Sequence, residues 1–152
     1  MSHVLIPDEL RVQIRQHGER SYPHEGVGLL LGNDDGRRRE VVALFPLENR
    51  REGEARRRRY HLDARDFAAG EAEAERRGLQ VVGVFHSHPD HPAQPSETDR
   101  ALALPWLSYM ITSVQGGHAN ESRSWRLLDD RSGFSEEALV ANEPALRSDG
   151  AG

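Results

Sequence analysis

The sequence contains no cysteine and no lysine, and all twenty of its basic residues are arginine. Without cysteine the chain has no disulfide, no thiolate nucleophile and no thiolate metal ligand, so histidine and carboxylate side chains must bind any metal ion. Without lysine, a Schiff base or a lysine nucleophile is excluded. No run approaches the ~18 apolar residues of a membrane span, and the N-terminus has no basic-then-apolar signal pattern. We therefore expect a cytoplasmic protein that does not bind a membrane.

The length and charge of the chain indicate one globular domain. Its 152 residues, 36% of them hydrophobic and 30% charged, are enough for one core but hardly for two. The net charge of -5 argues against a general nucleic-acid binder. Because no hydrophobic periodicity follows Asn142, we expect a single domain over 1–142 and a disordered tail over 143–152.

Hydrophobic periodicity and turn residues predict an α/β (mixed α+β) fold. Asp8 is expected to cap one helix and Asp63 a second, and a third starts at Ser96. We expect a single curved, mostly antiparallel sheet flanked by helices, with the first strand at its edge. The predicted helices cover 8–20, 64–77 and 96–104, and the predicted strands cover 4–6, 26–32, 40–45, 60–62, 81–85, 109–114 and 124–128.

The residues from His86 to Asp99 form the most informative motif. They follow an apolar, β-branched run that predicts a buried strand, and alternate residues of a strand share one face. His86 and His88 therefore point the same way, and Asp99, eleven residues after His88, can return as a carboxylate ligand. Two histidines and one aspartate leave a fourth position for water, which is typical of catalytic rather than structural metal sites.

Parts of the same stretch also fit other kinds of site. Residues 86–91 match the His-x-His-x-Asp-His signature of metallo-β-lactamase-type hydrolases, whose fold needs further histidine and aspartate ligands far downstream. Only 61 residues follow His91 here, and the sole histidine among them, His118, lies in a glycine-rich turn, so this family is disfavoured. A cupin-type site is disfavoured by the spacing to Glu97, whereas a non-haem iron triad is chemically possible. Ser96 and Asp99 also fit the Ser-x-x-acid capping box that starts a helix.

The whole set of residues resembles the signature of the JAMM metallopeptidases, also called MPN-plus domains. His86-x-His88, seven residues, Ser96, two residues and Asp99 match that signature, and Glu25 opens the pattern Glu-x-x-Gly-x-Leu-x-Gly over 25–32. The resemblance extends from about residue 4 to residue 135. Within the family, the chain is most like the small bacterial members that process ubiquitin-like sulfur-carrier proteins.

The resemblance implies a cytidine-deaminase-like JAMM core and one Zn²⁺ per chain, bound by His86, His88 and Asp99. It also implies that Glu25 is the general base and that Ser96 donates a hydrogen bond to the oxyanion. The reaction would be hydrolysis of an amide or isopeptide bond at the C-terminal tail of a ubiquitin-like or sulfur-carrier protein. Two alternatives stay open: a non-catalytic binding module on the same fold, and a dinuclear small-molecule hydrolase that uses Asp90 and His91.

The sequence also suggests where a substrate tail could bind. An extended tail could add a strand beside an exposed edge at 26–31, or lie beside the loop after His88. The loop at 50–59 carries six arginines, which are either solvated or meet an acidic partner surface. No pattern indicates an oligomeric state, and the ligand set suits several divalent ions.

Overall fold

The structure, a computed structural model, describes residues 3–47 and 62–141. The arginine-rich loop at 50–59, nearly all of the strand predicted at 60–62 and the tail predicted at 143–152 lie outside these residues. Three helices and seven strands are found in the described part of the chain. The helices are α1 (Asp8–Ser21), α2 (Ala64–Arg76) and α3 (Glu97–Leu102), and the strands are β1 (His3–Leu5), β2 (Val27–Asp34), β3 (Arg39–Leu47), β4 (Gln80–Pro89), β5 (Ser108–Gln115), β6 (His118–Leu127) and β7 (Phe134–Val140).

The strands form a closed barrel in the order β1-β3-β2-β4-β5-β6-β7. The prediction of a single curved sheet was therefore wrong in this respect, although the mixed α and β content is confirmed. β1 closes the barrel because it pairs in parallel with both β3 and β7, so it is not an edge strand. β4 and β5 are also parallel, whereas the remaining neighbours are antiparallel. β7 was not among the predicted strands.

The barrel gives β2 a partner along both sides. β2 pairs with β3 from Val27 to Asp34 and with β4 from Val27 to Gly32. The expected free edge at 26–31 is therefore wrong, because the backbone of that strand is already paired. The run from Leu29 to Leu31 is apolar without a break because β2 is buried on both faces.

Two core clusters lie on the two faces of the barrel wall. Leu29 and Leu31 belong to the cluster that includes Ala74 of α2. Leu30 belongs to the second cluster, with Leu10 and Ile14 of α1. The alternation along β2 thus assigns one helix to each face.

The helix starts follow local sequence signals in two of three cases. Asp63 caps α2 as predicted, and its side chain accepts a hydrogen bond from the Asp66 backbone at 2.9 Å. At α1, Pro7 rather than Asp8 occupies the cap position and no side chain caps the helix, so Asp8 is the first helical residue. No helix among the described residues is long and apolar enough to cross a bilayer.

Candidate metal centre

The metal-binding motif begins on β4, which runs through to Pro89 and so contains both histidines. His86 and His88 share one face of the strand, and both imidazoles are buried, with 1% and 7% exposure. Their Nε2 atoms lie 3.7 Å and 3.2 Å from the two carboxylate oxygens of Asp99. The three side chains form the one group among the described residues whose ligand atoms lie close enough to hold a metal ion.

Helix α3 supplies Asp99, and a capping box fixes its carboxylate. Ser96 Oγ accepts a hydrogen bond from the Asp99 backbone at 3.0 Å, and Asp99 Oδ2 accepts one from the Ser96 backbone at 2.8 Å. The box predicted from the sequence is confirmed. It does more than start the helix, because it holds the Asp99 carboxylate against the two histidines.

The arrangement of lone pairs around His88 fits a cation. The Nδ1–H of His88 donates to the Pro92 carbonyl at 2.9 Å, so Nε2 is the ring atom that faces Asp99 Oδ2, at 3.2 Å. A cation between Nε2 and the carboxylate, either a proton or a metal ion, makes this contact favourable. Two ligands of one tetrahedral zinc ion are about 3.4 Å apart, which the observed separations of 3.2 Å and 3.7 Å bracket.

The ionisation of the group also suits metal binding. Burial lowers the pKa of His86 to about 4, so its imidazole is neutral near pH 7. Burial alone would raise the pKa of Asp99, but His86, His88 and the Ser96 backbone hold it well below its ordinary value. A neutral imidazole and an ionised carboxylate are the forms that bind a metal ion.

Glu25 reaches this group through the register of two antiparallel strands. Val27 at the start of β2 lies opposite His86, so Glu25 continues to the end of β4 that carries the histidines. Glu25 Oε1 lies 4.0 Å from His86 Nδ1, and the carboxylate is buried. It stands beside the ligand group but is not part of it.

Ser87, which was not among the predicted site residues, anchors this placement. Its Oγ accepts a hydrogen bond from Gly26 N at 2.8 Å, and its own N–H donates to the Gly26 carbonyl at 3.0 Å. Ser87 points away from the two histidines that flank it and ties β4 to the residue after Glu25. The sequence offers one clue to this role of Ser87, which is its position between the two histidines.

A cleft of ≈ 530 Å³ opens onto the group. His86 lies behind it, whereas His88, Asp99 and Glu25 form part of its lining. Ser96 is exposed at its wall, and its hydroxyl has a proton left to donate after accepting from Asp99. The residues around the cleft are Glu25, His88, His91, Pro92, Gln94, Pro95, Ser96, Thr98, Asp99 and Leu102.

Asp90 has a structural position instead of a place in a second metal site. Its Oδ2 accepts a hydrogen bond from the Tyr22 hydroxyl at 2.7 Å, and its Oδ1 accepts one from Gly116 N at 2.9 Å. Its backbone is left-handed, with φ 60. His91 lines the cleft but lies outside the ligand group. The dinuclear reading through Asp90 and His91 is therefore not favoured.

Comparison with known families identifies a match over most of the chain. Residues 7–128 match the model of prokaryotic homologues of the JAB domain. The matched range contains Glu25 and the whole stretch from His86 to Asp99. It ends inside the turn between β6 and β7.

Two relatives and a solved structure agree with this match. A probable TtuB-protein conjugate cleaving protease of Thermus thermophilus is 34% identical over 114 residues, 75% of this chain and 72% of the relative. A CysO-cysteine peptidase of Mycobacterium tuberculosis is 32% identical over 74% of this chain and 75% of the relative. A solution structure of a Salinibacter ruber protein shares 43% identity, covers 96% of both chains and gives a TM-score of 0.73.

Proposed function

This chain belongs to the family of prokaryotic homologues of the JAB domain, and on that basis we propose that it is a metal-dependent peptidase. The proposed reaction is hydrolysis of an amide bond at the C-terminal tail of a ubiquitin-like protein. The observation that carries the proposal is the convergence of Glu25 on the His86, His88 and Asp99 group at one cleft.

We propose zinc as the metal, one ion per chain, held by His86, His88 and Asp99. The donor set of two imidazoles and one carboxylate suits zinc, and three protein ligands leave one position for water. A bound divalent cation supplies Lewis acidity, which makes water a nucleophile at neutral pH.

The chain's own residues account for the proton transfers. Glu25 is placed to accept a proton from the attacking water and to return it to the leaving amine, because its carboxylate lies next to the ligand group on the cleft side. Ser96 is placed to donate a hydrogen bond from its hydroxyl group to the oxyanion that forms on the carbonyl, and it keeps its proton. Neither role needs a covalent intermediate.

The substrate proposal rests on the relatives and the shape of the cleft. The two relatives are named a probable TtuB-protein conjugate cleaving protease and a CysO-cysteine peptidase. The cleft is open at the surface, with exposed Gln94 and Leu102 at its margin, and so admits a chain end. An extended tail with small residues before the scissile bond fits such a site.

The first test compares the wild type with Glu25→Gln and His88→Ala. Metal content is measured by elemental analysis, and hydrolysis is followed by mass spectrometry on a ubiquitin-like protein extended by a short peptide. We expect about one zinc per wild-type chain. Glu25→Gln should keep the metal and lose activity by a factor of about 100 to 10,000, because it lacks the base. His88→Ala should lose both.

Glu121→Gln, at an exposed position of β6, is the matched control and should behave as the wild type. Turnover retained in Glu25→Gln would show that another base acts. A wild type without metal after zinc is added would contradict the peptidase proposal and favour the non-catalytic binding module.

A further inference from the structure

Helix α3 bears one of the metal ligands, yet it is only 6 residues long. A helix of this length is not stable by itself, because nucleation is costly and few intrahelical hydrogen bonds form. Its N-terminal N–H groups are met by the capping box of Ser96 and Asp99. Its last carbonyls need donors from elsewhere in the fold.

One arginine side chain supplies these donors. Arg131 lies in the turn between β6 and β7, far from α3 in sequence. Its guanidinium donates to the Ala103 carbonyl at 2.9 Å, to the Arg100 carbonyl at 3.1 Å and to the Ala101 carbonyl at 3.2 Å. The contact is reciprocal, because Arg100 donates through its guanidinium to the Arg131 carbonyl at 2.8 Å.

The guanidinium is suited to this task in both shape and charge. Its planar fork of N–H donors can reach several carbonyls at once, which a single ammonium cannot do with the same geometry. A positive charge at a helix C-terminus is also favourable for the exposed carbonyl dipoles.

The turn that carries Arg131 is built to hold it there. Leu128 N–H donates to the Gly133 carbonyl at 2.9 Å, and Arg131 N–H donates to the Leu128 carbonyl at 2.8 Å. Asp130 accepts from the backbone and hydroxyl of Ser132. Arg131 itself has φ 61, in the left-handed region that costs a residue with a side chain about 1 kcal/mol or more. The fold keeps an arginine where the backbone favours glycine.

We propose that Arg131 is a positioning residue for the metal centre. It touches none of the three ligands and acts through the backbone of α3, whose C-terminus it holds while the capping box holds the other end. The position of Asp99 relative to His86 and His88 then depends on the turn between β6 and β7. The inference rests on the metal-binding part of the proposed function and not on the substrate.

The sharpest variant is Arg131→Gly. It removes the guanidinium, yet glycine adopts a positive φ without cost, so the turn itself is retained or relieved. We expect a folded protein whose zinc affinity is weaker by a factor of about 10 to 100, the range typical of residues that orient metal ligands. Affinity is measured on metal-free protein by competition with a chromophoric chelator, well below the melting temperature.

A second variant and a control separate positioning from general stability. Arg131→Asn also tolerates the left-handed backbone and lacks the guanidinium, so it should weaken zinc binding as Arg131→Gly does. Arg123→Ala removes an arginine from β6 whose ion pairs with Glu121 and Glu136 lie at the surface, and it should leave zinc affinity unchanged. The visible absorption bands of the cobalt-substituted protein report the ligand geometry independently of activity.

The outcomes are distinct. Weaker zinc binding and altered cobalt bands in both Arg131 variants, with the control unchanged, support the inference. Wild-type affinity in either folded variant would overturn it, even if the melting temperature fell, because Arg131 would then only stabilise the fold. A wild type that binds no zinc would instead contradict the proposed function itself.

Discussion

The Ser96 hydroxyl group caps a helix and, in the proposed reaction, also has the role of a hydrogen-bond donor. Its oxygen accepts a hydrogen bond from the Asp99 backbone and so caps α3. The cap does not use the hydroxyl as a donor, so the O–H can donate a hydrogen bond into the cleft that Ser96 lines. The helix cap and the proposed oxyanion donor are therefore the same hydroxyl group, and a single substitution removes both.

Two substitutions of Ser96 separate the two roles. Ser96→Ala and Ser96→Gly both remove the hydroxyl donor. Glycine is tolerated at a helix cap and alanine is not, so the two variants should lose different amounts of stability. We expect Ser96→Ala to lower the free energy of unfolding by about 1 kcal/mol, and Ser96→Gly by only a few tenths. Both should lower kcat by a factor of about 100 to 1,000 if the hydroxyl stabilises the oxyanion.

The measurements are urea unfolding of each variant and steady-state hydrolysis of the tail-extended substrate. Activity that followed the stability ranking, with Ser96→Gly close to the wild type, would show that the hydroxyl acts only as a cap. Equal losses of kcat despite unequal stability would support the donor role.

At the scale of elements, a buried polar network joins the strands at the end of the barrel away from the metal centre. Glu137 of β7 accepts hydrogen bonds from Ser108 of β5 at 2.9 Å and Ser124 of β6 at 3.1 Å, and pairs with Arg126 at 2.6 Å. Ser108 also accepts from Arg39 of β3 at 2.8 Å. These side chains link strands of the barrel that are far apart in sequence.

Removing the carboxylate of Glu137 should destabilise the barrel without affecting the metal centre. Glu137→Ala leaves Arg126, Ser108 and Ser124 without their shared acceptor, and breaking such a pair costs about 3 kcal/mol when one partner is partly exposed. Ser108 is the first residue of β5, whereas His86 and His88 pair with Ile111 and Ser113 further along that strand. The network is therefore separated from the histidines, and we expect the zinc affinity of the folded protein to be unchanged. Chemical unfolding and chelator competition measure the two quantities.

Glu136→Ala is the matched control. Glu136 is next to Glu137 in sequence, but its carboxylate makes an ion pair with Arg123 in which both side chains are partly exposed. It should change the free energy of unfolding by less than about 1 kcal/mol. A large loss of zinc affinity in folded Glu137→Ala would contradict the separation of the two ends.

The parts of this arrangement that were predictable from the sequence depend on local signals. The period of a strand placed His86 and His88 on one face, the Ser-x-x-acid pattern predicted the start of α3, and glycines predicted the turn between β5 and β6. Asp63 likewise marked the start of α2. Each signal spans only a few residues, so no knowledge of distant pairing was needed.

The parts that were not predictable depend on distant pairing. β7 contains Ser135, Glu136 and Glu137 and has no strong strand pattern, and β1 closes the barrel through two parallel pairings that leave no local mark. Unless the barrel is known to close, β2 is expected to have a free edge for a substrate strand, whereas the structure pairs it on both sides. Arg131 is an ordinary arginine in a turn until α3 lies against it.

At the scale of the whole molecule, the metal centre draws on most of the fold. The segment that leads into β2 brings Glu25, β4 brings the histidines, and α3 brings Asp99. The loop after β4 is fixed by Ser113 and Trp125, which donate to the His91 and Ala93 carbonyls at 2.6 Å and 3.0 Å. Burial of His86 and His88 is thus a property of the entire barrel. We expect this burial to make the stability of the metal-free protein depend on pH.

The metal-free protein should lose stability as the pH falls from about 6.5 to about 4. His86 has an ordinary pKa of 6.5 when unfolded and about 4 when folded. In that interval the unfolded state binds a proton that the folded state does not, so acid favours unfolding. The shift is worth about 3 kcal/mol at 1.36 kcal/mol per pKa unit. Asp99 adds to the loss below its ordinary pKa of 3.8, because its folded pKa is lower still.

Urea unfolding of metal-free protein across this pH range measures the effect, and His86→Asn isolates its source. The variant has no imidazole to titrate at this position, so the slope of unfolding free energy against pH should decrease. It should not vanish, because burial also lowers the pKa of His17, which acts in the same direction. His118→Asn, at an exposed position, should keep the full slope. An unchanged slope in His86→Asn would show that the stability lost on acidification comes from other groups.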